Sequence, residues 1–115
     1  MPVERDFNME YPPVINIENF TNWLASKPED EFVGIKASCG KCPIAQYLNE
    51  VFPLRDFNWW IVNGEQYYPF AQSDCNCFML PEWAKEFVSQ IDNLENKTNK
   101  VTAKEALDVA LLLNV

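Results

Sequence analysis

The four cysteines of the chain form two short pairs, and their thiols are the side chains whose type and spacing could support chemistry. The first pair is Cys39 and Cys42, within CGKC, and the second is Cys75 and Cys77. Two thiols this close in sequence can form a redox couple, ligate a soft metal ion, or remain reduced and buried. The elements around them bear on the choice among these three roles.

A redox role for the first pair is suggested by the elements on either side of it. An apolar run precedes Cys39, and Pro43 directly after Cys42 suits the first position of a helix. A thiolate at a helix N-terminus is stabilised by the helix dipole, so strand, CGKC and helix together resemble the active-site arrangement of thioredoxin-like proteins. The resemblance implies a thiol-disulfide redox protein. The helix, however, leads into a hairpin rather than into a crossover to a parallel strand, and no Trp precedes Cys39.

A structural zinc site is the second interpretation, and its four thiolate ligands would be Cys39, Cys42, Cys75 and Cys77. The chain between the two pairs is long enough to run out and back along a hairpin. Four protein ligands leave no open position for substrate, so the zinc would stabilise the fold. Cys-x-Cys is less common in such sites than Cys-x-x-Cys. This favours the third interpretation, in which the cysteines are reduced and structural and no cofactor is bound.

Most other catalytic chemistry is excluded by residues that the chain lacks. It contains no histidine, which removes Ser-His-Asp and Cys-His nucleophile pairs, histidine-ligated catalytic metals and imidazole bases. Its three glycines, Gly34, Gly40 and Gly64, cannot build a phosphate-binding loop or a dinucleotide fingerprint. Carboxylates are plentiful, but no spacing among them marks a catalytic pair. We therefore predict no catalytic residue and favour a non-enzymatic protein.

Length and charge indicate one acidic globular domain over residues 1–115. The chain is 48% hydrophobic and 14% aromatic, enough to bury a single core. With 17 acidic and 9 basic residues, its net charge is −8, which disfavours direct nucleic-acid binding and suits a basic or nucleic-acid-binding protein as partner. The start of the chain lacks a signal-peptide pattern, and no apolar segment approaches a bilayer span. We expect a cytoplasmic protein without a membrane partner, and a homodimer is left open.

Hydrophobic periodicity predicts an α+β fold, with about four helices packed on one face of a small antiparallel sheet. The predicted elements are a helix over residues 17–26, a strand over 32–37, a helix from Pro43 to about residue 52, a helix over 81–92 and a last helix that begins at Thr102. The last helix has the clearest start signal, because Thr102 and Glu105 have the spacing of a capping box.

The segment FNWWIVNGEQYYPF (residues 57–70) is the clearest hairpin signal, and it forms the centre of the predicted sheet. Asn63-Gly64 is a preferred dipeptide for a two-residue type I′ turn, which sets Val62 opposite Glu65. Pro69 supplies no N–H to a neighbouring strand, so we expect the second hairpin strand at an edge of the sheet or bulged near its end.

The two faces of this hairpin differ in composition, because side chains alternate along a strand. The face expected to join the core carries Phe57, Trp59, Ile61, Tyr68 and Phe70. The opposite face carries Trp60, Val62 and Tyr67. Large aromatic side chains on an exposed sheet face are favoured interface anchors, so these three residues are the predicted patch for a partner protein. The alternative is that a helix or the N-terminal segment covers them.

Three segments, in this order, carry a further resemblance: CPIAQYL (residues 42–48), LPEWAKEFVSQID (80–92) and VTAKEAL (101–107). They contain a C-P-(L/I)-A-x-(Y/W)-L motif and the helix sequence PEWAKEFV (residues 81–88), and they resemble a group of short phage and bacterial proteins of unknown function. Cys39 and Cys77 lie outside that pattern. The resemblance implies a phage or mobile-element setting but no activity and no site residues. By analogy with phage accessory proteins of this size, we predict binding to a host or defence component.

Overall fold

Helices and short strands are interspersed along the chain, and the α+β prediction is confirmed. The computed structural model describes residues 15–54, 58–70, 77–95 and 98–113. The helices in these ranges are α1 (Ile17–Ala25), α2 (Pro43–Val51), α3 (Glu82–Asp92) and α4 (Ala103–Leu113). The strands are β1 (Phe32–Ile35), β2 (Trp60–Val62), β3 (Gln66–Pro69), β4 (Phe78–Met79) and β5 (Lys100–Thr102). The four predicted helices are present close to their predicted boundaries.

The described strands form two antiparallel sheets, whereas the sequence predicts one. β1 pairs with β5, and β2, β3 and β4 form a second sheet with β3 in its centre. No prediction covers β4 or β5, because strands of two or three residues are too short to show an alternating pattern. Their pairing depends on partners that are distant in sequence.

The starts of α2 and α4 follow from local sequence. Pro43 lies in the first turn of α2, and Cys42 is its N-cap. At α4, the Thr102 hydroxyl accepts the Glu105 N–H at 3.2 Å, and the Glu105 carboxylate accepts the Thr102 N–H at 2.9 Å. This reciprocal pair is the predicted capping box, and it joins the end of β5 to α4.

The helices surround an aromatic core centred on Phe20. Its ring contacts Tyr47 of α2 and Phe87 of α3 edge to face, with centroid distances of 5.3 and 5.0 Å. α1 and α3 both pack on α4, whose buried residues are Ala103, Ala106, Val109 and Ala110. No helix among the described residues combines the length and the apolar character needed to cross a membrane.

The centre of the turn between β2 and β3 lies one residue later than the sequence predicts, which shifts the pairing partner of each β2 residue by two. Val62 pairs with Tyr67 rather than with Glu65. The Asn63 side-chain oxygen accepts the backbone N–H groups of Glu65 and Gln66 at 3.0 and 2.8 Å. No described glycine has a positive φ, which a type I′ turn requires. The type I′ prediction is therefore wrong, and Asn63 begins the turn through its side chain.

The later turn leaves the composition of the two hairpin faces unchanged, but their roles are the reverse of those expected. A shift of two residues in pairing keeps every side chain on its face, because the side-chain period of a strand is two. The face with Trp60, Val62 and Tyr67 is buried in the main core. On the opposite face, Ile61 is buried outside the main core cluster, and Trp59 and Phe70 are 40% and 50% exposed. The assignment of the core face is therefore wrong.

Packing of α2 against β2 explains this reversal. The Asn49 side-chain oxygen accepts the Trp60 N–H at 2.7 Å, and the Phe52 carbonyl accepts the Trp60 indole N–H at 2.8 Å. The hairpin face that meets α2 is thus the one that carries Trp60. Phe57, expected on the same face as Trp59, lies outside the described residues.

The position of β3 also differs from the prediction based on Pro69. Gln66 and Tyr67 pair with β4, so β3 is central rather than at an edge. Pro69 lies beyond the part of β3 that pairs with β4, and it faces Trp60 of β2. Its missing N–H therefore does not interrupt the pairing with β4.

Candidate functional site

A cavity of about 500 Å³ lies where three parts of the chain meet. The loop between β1 and α2 supplies residues 37–39 and Cys42, the hairpin turn supplies residues 62–66, and α3 supplies Val88 and Asp92. Ligand-binding clefts typically measure roughly 300–1,000 Å³. The cavity is therefore large enough for a long side chain or a small molecule.

The wall of this cavity is acidic and partly apolar. Glu65 of the hairpin turn and Asp92 of α3 supply carboxylates, and Val62 and Val88 supply apolar surface. None of the described residues that line the cavity is basic. Asp92 ends α3, whose last turn has no basic residue to offset the partial negative charge of the helix C-terminus. These features favour a ligand with a cationic end and an apolar stem.

The loop that carries the two thiols is held by hydrogen bonds on two sides. The Val62 N–H donates to the Cys39 carbonyl at 2.7 Å, which joins the loop to β2. The Ala37 N–H donates to Asp92 Oδ1 at 2.9 Å, which joins the loop to α3. The loop is thus positioned relative to both elements that supply carboxylates.

Replacement of Ala37 by glycine is expected to stabilise the protein by about 1 kcal/mol. Ala37 has a φ of 54°, in the left-handed region, where a Cβ costs an L-residue roughly 1–2 kcal/mol. Glycine adopts this region readily, although the larger backbone entropy that it loses on folding offsets part of the gain. The free energy of unfolding, measured by urea denaturation, reports the change.

The matched control is Ala25→Gly at the end of α1, where the same substitution is expected to destabilise by up to about 1 kcal/mol. A loss of stability in Ala37→Gly as large as that in Ala25→Gly would contradict the left-handed conformation of Ala37.

The two thiols of the loop lie in different environments. Cys39 is exposed, whereas Cys42 is only 5% exposed. Burial raises the pKa of Cys42 to about 11, and the nearby backbone N–H groups of Ala45 and Ile44 offset this rise only in part. Cys42 is therefore protonated at neutral pH, and Cys39 is the thiol that solutes reach first.

The four cysteines predicted as zinc ligands are only partly covered by the structure. Cys39 and Cys42 line the same cavity, Cys77 is exposed, and Cys75 lies outside the described residues. Within the described part of the chain, no group of three or more His, Cys, Asp or Glu side chains is placed to hold a metal ion. Because one proposed ligand lies outside that part, the zinc interpretation stays a prediction.

The predicted partner patch of Trp60, Val62 and Tyr67 does not form an exposed surface. All three side chains are buried, and Trp60 is completely so. Val62 also lines the cavity. The exposed aromatic surface of the hairpin is instead the stacked pair Trp59 and Phe70, whose ring centroids lie 4.4 Å apart. The patch prediction is corrected because these three residues complete the core beneath α2.

Sequence reasoning does not single out the two carboxylates of the cavity. Glu65 lies in a turn and Asp92 at a helix end, positions where an acidic side chain is usually solvated. The one signal is that Glu65 directly follows Asn63-Gly64, which marks it as a turn residue. Packing of the turn near the end of α3 is what places both carboxylates at one cavity.

Comparisons of this chain with protein families, with curated proteins and with solved structures find no match. The resemblance to the phage and bacterial group stays a prediction.

Proposed function

We propose that this protein is a binding protein whose cavity receives a lysine or arginine side chain of a partner protein. The observation that supports the proposal is that Glu65 and Asp92, from separate elements, line one cavity in which no described lining residue is basic. The net charge of −8 adds a long-range attraction for a basic partner. The partner would be the host or defence component that the resemblance to phage and bacterial proteins predicts.

A long cationic side chain matches both the charge and the walls of the cavity. Its methylene groups would contact Val62 and Val88, and its charged end would lie near the carboxylates. Asp92 Oδ1 accepts the Ala37 N–H, which leaves Oδ2 for the ligand. The amino group of Lys36, on the adjacent loop, donates to the Leu94 carbonyl at 2.6 Å, and Lys36 does not line the cavity.

Acetyl-arginine methylamide is expected to bind in the millimolar range and to shift the NMR amide resonances of residues 62–66 and 88–92. The double variant Glu65→Gln/Asp92→Asn is expected to weaken this binding on the order of tenfold, because two nearby charges are removed. The asparagine that replaces Asp92 keeps a side-chain oxygen for the Ala37 N–H, so the variant tests charge rather than loop position. Dissociation constants from NMR titrations measure the effect.

Two controls separate a specific site from general attraction to an acidic surface. Acetyl-citrulline methylamide has a similar shape without the charge and is expected to bind more weakly. Glu18→Gln on α1 removes a negative charge from a residue outside the cavity lining and is expected to leave the affinity unchanged. Equal binding of the arginine and citrulline compounds, or an unaffected double variant, would contradict the proposal.

A further inference from the structure

Cys39 and Cys42 lie on one helical turn at the wall of the cavity. The N–H groups of Lys41 and Cys42 donate to the Ser38 carbonyl at 3.2 and 2.9 Å, which closes a turn over residues 38–42. Cα atoms three residues apart on a helical turn are separated by about 5 Å. Disulfides join Cα atoms about 4.4–6.8 Å apart, so these two thiols can form one without moving the backbone far.

We propose that Cys39 and Cys42 carry out thiol-disulfide exchange with a cationic disulfide that enters the cavity. Both thiols line the cavity, and its carboxylates, Glu65 and Asp92, would attract a cationic substrate and repel an anionic one. The exchange itself is independent of the proposed binding function. Only its preference for a cationic substrate rests on the same two carboxylates.

Because Cys39 is exposed and Cys42 is buried, Cys39 reacts first with the substrate and Cys42 acts second. Cys39 is exposed, so its thiolate attacks one sulfur of the incoming disulfide. A mixed disulfide forms on Cys39, and the other half of the substrate leaves as a thiolate that takes up a proton. Cys42 then loses its proton to solvent and attacks the Cys39 sulfur, which releases the second half as a thiol.

The net reaction balances in electrons and protons. The substrate disulfide gains two electrons and two protons, and the Cys39 and Cys42 thiols lose them to become one disulfide. A small dithiol, such as dithiothreitol, restores the two thiols by the same exchange in reverse. Because burial keeps Cys42 protonated at neutral pH, the second step is expected to be the slower one and to accelerate as the pH rises.

The test uses three small disulfides that differ in charge: cystamine, 2-hydroxyethyl disulfide and 3,3′-dithiodipropionate, which are a dication, neutral and a dianion. The parent is the full chain with Cys75→Ser and Cys77→Ser, which leaves only the two thiols of the loop. Intact mass spectrometry follows the reaction. Each rate is divided by the rate of N-acetylcysteine amide with the same disulfide, because the leaving thiols differ in intrinsic reactivity.

The parent is expected to lose two hydrogens and retain no adduct, because Cys42 resolves the mixed disulfide. Cys42→Ser is expected to stop at a stable adduct on Cys39, and Cys39→Ser is expected to react at a small fraction of the parent rate. The normalised rate with cystamine is expected to exceed that with dithiodipropionate on the order of tenfold. In Glu65→Gln/Asp92→Asn this ratio is expected to fall towards one.

Two results would overturn the exchange: a stable adduct in place of an internal disulfide in the parent, or a Cys39→Ser variant that reacts at the parent rate. The arginine titration distinguishes this failure from failure of the proposed function, because it uses no thiol. An internal disulfide that forms at equal normalised rates with all three reagents would instead refute the role of the carboxylates, and with it the preference for a cationic substrate.

Discussion

Replacement of Trp60 by alanine is expected to destabilise the protein by about 4 kcal/mol. Trp60 is completely buried, and its indole N–H donates to the Phe52 carbonyl at 2.8 Å. The variant loses the burial of a large ring and leaves that carbonyl without its donor. For a domain whose stability is typically about 5–15 kcal/mol, such a loss lowers the melting temperature by roughly 15 °C. Urea denaturation and thermal melts followed by circular dichroism measure both quantities.

Trp59→Ala, at the adjacent position, is the matched control, and it is expected to lower the free energy of unfolding by about 1 kcal/mol. Trp59 is 40% exposed, and its main described ring contact is the stacking on Phe70. Trp60→Phe is expected to lie between the two variants, because it keeps most of the ring volume but loses part of the ring and the N–H donor. A larger loss for Trp59→Ala than for Trp60→Ala would show that the hairpin presents its other face to the core.

Replacement of Gly34 by alanine is expected to cost about 3 kcal/mol, although only one methyl group is added. A Cβ on Gly34 would lie 2.5 Å from the backbone nitrogen of Pro43 and 2.6 Å from its Cδ. The proline side chain is closed onto its own backbone nitrogen and cannot rotate away, so β1 and the start of α2 would have to separate. The same shift would move Cys42, the N-cap of α2. The free energy of unfolding measures the cost.

Gly64→Ala in the hairpin turn is the control for this variant, and it is expected to be neutral or to stabilise by up to about 1 kcal/mol. No atom lies within 4 Å of a Cβ at this position, and its φ is not positive. Alanine also reduces the conformational entropy of the unfolded chain. A loss of more than about 1 kcal/mol for Gly64→Ala would support the type I′ turn that the sequence predicts. A neutral Gly34→Ala would show that β1 and α2 are less closely packed than described.

Local signals in the sequence were sufficient for the helices. Pro43 marks the start of α2, and the capping box of Thr102 and Glu105 marks the start of α4. These signals act within one turn of a helix, so they do not depend on the rest of the fold. The short strands β4 and β5 lack such signals, because each exists only through its pairing with a strand that is distant in sequence.

For the hairpin, the sequence determined which side chains share a face but not which face is buried. Because side chains alternate along a strand, Trp60 and Val62 lie on one face and Trp59 and Ile61 on the other, whichever turn position is adopted. Both faces are aromatic, so composition alone could not rank them. The buried face is decided by the packing of α2 on the Trp60 face. Asn49 of α2 accepts the backbone N–H of Trp60, and Phe52, the C-cap of α2, accepts its indole N–H.

For the candidate site as well, some features follow from the sequence and others only from the tertiary structure. The sequence by itself determined an acidic chain without histidine and placed two thiols before a helix. Only the tertiary structure brought Glu65 and Asp92 to one cavity with those thiols and buried Cys42 while leaving Cys39 exposed. The physical reason is that charge, capping and alternation act over a few residues, whereas burial and the meeting of distant side chains depend on how whole elements pack.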